Sequence, residues 1–187
     1  TIHARMRQRT RLGGSAAMGT PEPAFNFGRI LEVMLRRQYP GVRFEVVNAA
    51  MAAINSHVVL PIAKDCAAHQ PDLFVVYLGN NEVVGPFGPG TVFQTWSPSL
   101  GVIRASLWAK STRVGQLIEN TLGHFRRGKG AVPSWRGMEM FVNNRIAADD
   151  PRLATVYANL RENLIDLCNV AKRSGVPVVL STVAVNL

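Results

Sequence analysis

At 187 residues the chain is long enough for one domain with a sizeable core, and 47% hydrophobic with 18% charged residues is an ordinary globular composition. The net charge of +9 admits an anionic partner, yet much of it sits in Arg5–Arg11 and Arg126–Lys129 without interleaved aromatics, so a solvated basic surface is expected and nucleic acid is not. No apolar run is long enough to span a bilayer and no secretory signal pattern opens the chain, which leaves any membrane tether to segments outside these residues. Cys66 and Cys168 stand far apart with neither metal-ligand spacing nor a disulfide pattern, so free thiols are expected; no metal or other cofactor is expected either.

In chain order, Leu12-Gly13-Gly14-Ser15 reads as a strand end, a glycine turn and a hydroxyl at a helix start. Met6 to Arg11 alternates Arg7, Arg9 and Arg11, which is strand-like but costly inside a sheet covered on both faces; a short edge strand or a non-native leader is the expectation. Phe27, Ile30, Leu31, Met34 and Leu35 have the spacing of one buried helix face. Phe44–Val47 is a short strand ending at Asn48-Ala49-Ala50, and a second helix runs from about Ser56 to His69. Leu73–Leu78 is a continuous apolar run, as in a central parallel strand buried on both sides, and it stops at Gly79-Asn80-Asn81-Glu82.

Residues 83–149 form a long excursion between the third and fourth strands, with a helix over Leu107–Leu122 and a basic loop over Arg126–Gly130. Asp150-Pro151 opens the clearest helix, with Leu153, Tyr157, Leu160, Leu164, Leu167 and Ala171 on one face, and Val178–Val185 is the last strand. The alternation of strands and helices predicts a single α/β domain over 1–187 with a parallel sheet. The chain opens on Thr1 rather than Met and stops at Asn186-Leu187 just after a strand-like run, so a fragment of a longer protein is expected.

Small and amide residues collect where such sheets bind ligands, at the carboxyl ends of the strands: Ser15, Ala50, Asn81 and Asn186. Ser15 has the chemistry of a nucleophile. The N–H groups of Ser15 and Ala50 with the Asn81 amide can donate to an oxyanion, and Asn48, His57 and Glu82 are further candidates for the pocket. The same glycine turn also suits a phosphate, so a non-catalytic module binding an anionic ligand, or a scaffold, is the alternative.

Gly13-Gly14-Ser15-Ala16, Asn48-Ala49-Ala50 and Gly79-Asn80-Asn81-Glu82 resemble the first three sequence blocks of the SGNH/GDSL hydrolases, a family of serine esterases. The resemblance covers residues 12–82 and, more loosely, 150–187. It implies a three-layer, flavodoxin-like parallel sheet, incomplete at the C-terminus, with Ser15 as nucleophile and Asn81 as oxyanion donor. It also implies a small-molecule or carbohydrate ester as substrate, an O-acetyl group among the candidates. Ala50 stands where the family has glycine, and Glu82 where it usually has Asp. The family's Asp-x-x-His base motif does not occur before Leu187 and is expected beyond it; His57, at the start of the second helix, is the weaker candidate for a base. Gly13-x-Ser15 followed by Ala17 also half-matches the α/β-hydrolase nucleophile elbow, but that motif follows a strand well into the sheet rather than the first.

Overall fold

The computed structural model describes residues 7–19, 22, 24, 26–91, 98–126, 144 and 146–183. Its elements are β1 (Arg7–Gly13), α1 (Ser15–Met18), α2 (Phe27–Gln38), β2 (Phe44–Asn48), α3 (Ser56–Ala68), β3 (Leu73–Tyr77), α4 (Leu100–Ser111), α5 (Arg113–Arg126), α6 (Arg152–Arg173) and β4 (Val178–Ser181). The four strands are all parallel, in the order β2-β1-β3-β4.

The local signals that start and stop these elements are physical ones. Asn26 caps α2 by accepting from the N–H groups of Gly28 and Arg29. Asp150 accepts from the Arg152 N–H at the start of α6, and Gly175 closes that helix at a φ of 68°. The single helix expected over Leu107–Leu122 is two: Thr112 interrupts it, its Oγ1 accepting from Gly115 N–H to start α5. Gly115 is required at that corner, because a Cβ there would collide with the Ala109 carbonyl.

One face of the sheet carries the core. Leu12 of β1 with Phe74 and Val76 of β3 packs against Val59, Leu60, Ala63 and Ala67 of α3 and Leu167 and Ala171 of α6. The other face is thinly covered. Leu73, Val75 and Tyr77 alternate with Phe74 and Val76 and are only half-buried, with Phe27 of α2 lying against Tyr77 at 6.3 Å between ring centroids. At the edge, Val179 and Leu180 of β4 are about half exposed.

This corrects the expectation of a three-layer, flavodoxin-like sheet. Among the described residues helix dominates, with α6 reaching 22 residues, no strand exceeds 7 residues, and the small open sheet is well buried on one side only. The apolar run Leu73–Leu78 does not mean two-sided burial here, because Leu73, Val75 and Tyr77 meet too little helix to lose their water. β1 is also not an edge strand. It lies between β2 and β3, with Arg7, Arg9 and Arg11 in register with Phe44, Val46 and Asn48. The inward helix faces shift too: Ile30 and Met34 of α2 and Tyr157 of α6 are exposed, while Glu32, Val156 and Asn163 are buried. Glu32 tolerates burial because Arg29 and Arg36, one turn either side, both pair with its carboxylate.

Since the core lies on one face, truncation there and on the other face should differ sharply. Phe74→Ala is expected to lower stability by about 3–5 kcal/mol, whereas Val179→Ala should stay within about 0.5 kcal/mol; urea unfolding of the two variants measures both.

Candidate functional site

Ser15 stands at the carboxyl end of β1, in the first turn of α1, and is half-buried. Gly13 brings this turn close to β3, since a Cβ at Gly13 would strike the Tyr77 carbonyl oxygen. β3 ends next to it, and Gly79, at a φ of 133°, turns the chain back so that Asn81 faces the same place. Gly14, Ser15, Ala16, Ile54, Leu78, Gly79, Asn80 and Asn81 line one narrow cleft of about 10 Å³, room for a single oxygen-sized group. The Asn81 amide lies against Gly14, where an added Cβ would come within 2.8 Å of its Nδ2. One hydrogen of that amide is donated to the Ile54 carbonyl at 3.0 Å, which fixes its plane. The structure therefore brings Ser15 and Asn81 together from positions 66 residues apart.

Ala50 is near but engaged. The Met51 N–H donates to the Gly13 carbonyl and draws the loop after β2 to this end of the sheet. The Ala50 N–H, however, donates to Asn48 Oδ1 at 3.1 Å, an Asx turn closed on itself. Asn48 is exposed and also reaches the Met18 carbonyl, so its role is to shape the loop. Asn186 lies outside the described residues.

His57 and Glu82 belong to a different part of the molecule. They line a cavity of about 240 Å³ with Phe87, Arg152, Thr155, Val156 and Asn159, and His57 also borders a second one of about 270 Å³ between α3, α4 and α6. Behind them is a buried polar cluster. Ser56 Oγ donates to Glu82 Oε2 at 2.8 Å and Ser56 N–H to Glu82 Oε1 at 2.9 Å. Asn163 Nδ2 donates to Ser56 Oγ at 2.9 Å and lies 3.0 Å from His57 Nδ1.

The protonation states follow from the donors. Arg104, which can only donate, meets Asn163 Oδ1 at 3.1 Å, so Asn163 turns its NH2 toward Ser56 and His57. His57 Nδ1 must then accept, and the ring proton sits on Nε2. Burial first, and the Arg104 charge second, lower the His57 pKa from 6.5 to about 4, so the ring is neutral. Burial raises the Glu82 pKa above the carboxylate norm, and the two bonds from Ser56 pull it partly back.

Ser56, His57 and Asn163 thus form a linked serine–histidine–amide cluster, the group types a serine hydrolase uses. Ser56 is only 2% exposed and its hydroxyl proton is directed at Glu82, not at His57. Sequence reasoning missed both Ser56 and Asn163. Ser56 is the first residue of α3 and Asn163 falls between leucines of α6, and neither stands out in a hydrophobic pattern. Among the described residues, no group of three or more His, Cys, Asp or Glu is placed to hold a metal, and no helix is long and apolar enough to cross a membrane.

No family model matches the chain, and no curated protein matches it either. Among solved structures it is similar to AlinE4, described as an SGNH-hydrolase family esterase, at 17% identity over 94% of this chain and 76% of that one, with a TM-score of 0.39. It is similar to TesA at 16% identity over 90% and 99%, with a TM-score of 0.39. The psychrotrophic esterase EstA from Pseudoalteromonas sp. shares 8% identity over 94% and 77%, with a TM-score of 0.42.

The neutral, buried His57 has a pH consequence. Its folded pKa lies below its unfolded one, so the folded state binds fewer protons between pH 6.5 and about 4. Stability present above pH 6.5 is lost as the pH falls through that window, by up to about 3 kcal/mol. His57→Gln should remove this part of the acid sensitivity, read as the change in urea midpoint from pH 7 to pH 4 against the parent chain.

Proposed function

We propose that this chain is a serine hydrolase acting on an ester, with Ser15 as its nucleophile, as the resemblance to SGNH/GDSL hydrolases implies. The observation that carries the reading is the shared cleft: a hydroxyl at the end of β1 and a side-chain amide at the end of β3 open onto one oxygen-sized space. Ser15 Oγ attacks the ester carbonyl carbon, and the carbonyl oxygen becomes an oxyanion. Asn81 donates to it with the amide hydrogen not given to Ile54, joined by the Ser15 N–H at the start of α1. An asparagine suits this work because its amide is neutral, directional and cannot lose its proton. The Ala50 N–H takes part only where Asn48 releases it. Attack also needs a base to accept the Ser15 proton. His57 is not that group, because Asn163 holds its Nδ1 and the ring lines other cavities. A carbohydrate O-acetyl ester is the substrate we favour within the ester class, following the resemblance alone.

A second serine has an observation in its favour, the Ser56–His57–Asn163 cluster. Burial and the commitment of its hydroxyl to Glu82 argue against Ser56 as the attacking group. Labelling the protein with a fluorophosphonate separates the two. Label is expected on Ser15 and is lost in Ser15→Ala; label on Ser56 instead would overturn the assignment. Asn81→Ala should lower kcat by about 10²–10³, or about 2.7–4 kcal/mol of transition-state stabilisation, and an unchanged turnover of p-nitrophenyl acetate would remove Asn81 from the reaction. Gly14→Ala is expected to act in the same direction, since its new methyl would crowd the Asn81 amide.

A further inference from the structure

We propose that Glu82 and Ser56 are positioning residues that set the Asn81 amide over Ser15, and that Asn163 locks them from α6. The inference rests on the esterase reading for its catalytic meaning, but its structural content stands on separate bonds. Two short strips of chain, 54–56 and 81–86, are stitched side by side. Asn81 Nδ2 donates to the Ile54 carbonyl at 3.0 Å. Both oxygens of Glu82 accept from Ser56, through the backbone N–H and the hydroxyl. Asn55 Nδ2 donates to the Pro86 carbonyl at 2.7 Å, and the Gly85 N–H returns to the Asn81 carbonyl.

These bonds bear directly on Asn81. Its side chain hangs from Ile54, two residues before Ser56, and its backbone is continuous with Glu82. A shift of the Ser56–Glu82 pair therefore moves the amide from both ends. Ala53, just before this strip, holds a φ of 60°, a strained conformation for alanine that persists only where its surroundings hold it.

The lock comes from farther along the chain. Asn163 donates to Ser56 Oγ and to His57 Nδ1 and accepts from Arg104, whose guanidinium also pairs with Asp166 at 2.8 Å. Ser56, Glu82 and Asn163 are each at least 95% buried. An aliphatic trio of the same size would cost less desolvation. What the polar trio adds is direction: each group has one set of partners, so the two strips fit together in a single register.

The test measures the Asn81 amide itself. In ¹⁵N-labelled chain its two side-chain N–H resonances are assigned by their loss in Asn81→Asp. In Ser56→Ala and Glu82→Gln both resonances should move and their hydrogen exchange should quicken by about tenfold, while Ser56→Thr, which keeps the hydroxyl, restores the parent values. With p-nitrophenyl acetate as substrate, the first two variants should lose about tenfold to a hundredfold in kcat, with KM within about twofold. Thermal unfolding identifies a variant that fails to fold, and the near-isosteric Glu82→Gln then carries the comparison. Unmoved Asn81 resonances in a folded Glu82→Gln variant overturn the positioning role. Moved resonances with turnover insensitive to Ser15→Ala uphold the positioning role and remove the esterase reading instead.

Discussion

A carboxylate buried at the start of a helix is the constraint around which this site is built. Glu82 leaves water behind, and the fold compensates with the N–H and hydroxyl of Ser56, where the first turn of α3 has N–H groups without intrahelical partners. Charge-assisted hydrogen bonds of this kind are directional. They place the end of β3 against the start of α3 without relying on apolar contact, which would tolerate sliding. The glycines then complete the approach: Gly13 lets β1 turn beneath β3, Gly14 leaves room for the Asn81 amide, and Gly79 redirects the chain after β3. The cleft at Ser15 is a by-product of these close approaches.

The same arrangement divides labour between neighbouring residues. Asn81 and Glu82 are adjacent, yet one lines the Ser15 cleft and the other a cavity with His57 and Phe87. One faces the side where chemistry is proposed and the other faces the frame. His57 belongs to the frame as well. Its ring is held by Asn163 on one nitrogen and touched edge-on by Phe87 at 5.9 Å between centroids. Phe87 adopts a left-handed backbone to reach it, at a φ of 66°. A histidine kept neutral and packed in this way serves as a hydrogen-bond acceptor rather than as a proton carrier.

That Ser15 and Asn81 meet at one end of the sheet is legible in the sequence, because glycines and amides at strand ends are poor core residues and their clustering needs a reason. The parallel sense of the strands is legible from the alternation of strand-like and helical runs; the central place of β1 is not, because its alternating arginines read as an edge strand. The depth of the layers is not, because an apolar run such as Leu73–Leu78 reads the same whether one or both of its faces are covered. The polar cluster was hidden for a different reason. Periodicity sees leucines, so α6 was expected to turn Tyr157 inward, when the buried stripe is Val156, Asn163, Leu167 and Ala171. A buried amide carries no sign in a hydrophobic pattern; only its partners reveal it, and Ser56 lies 107 residues away.

That separation has a bearing on how the molecule is made. The central strand, β1, lies far in sequence from β3 and α6, which help build its sheet and core. Pairings so distant in sequence form slowly, since a long loop must close before any contact rewards it. Asn163 can seal Ser56 only once α6 has docked on α3, a closure over 107 residues. Without that docking the Ser56–Glu82 pair keeps its access to water, so the polar interior dries only with α6 in place.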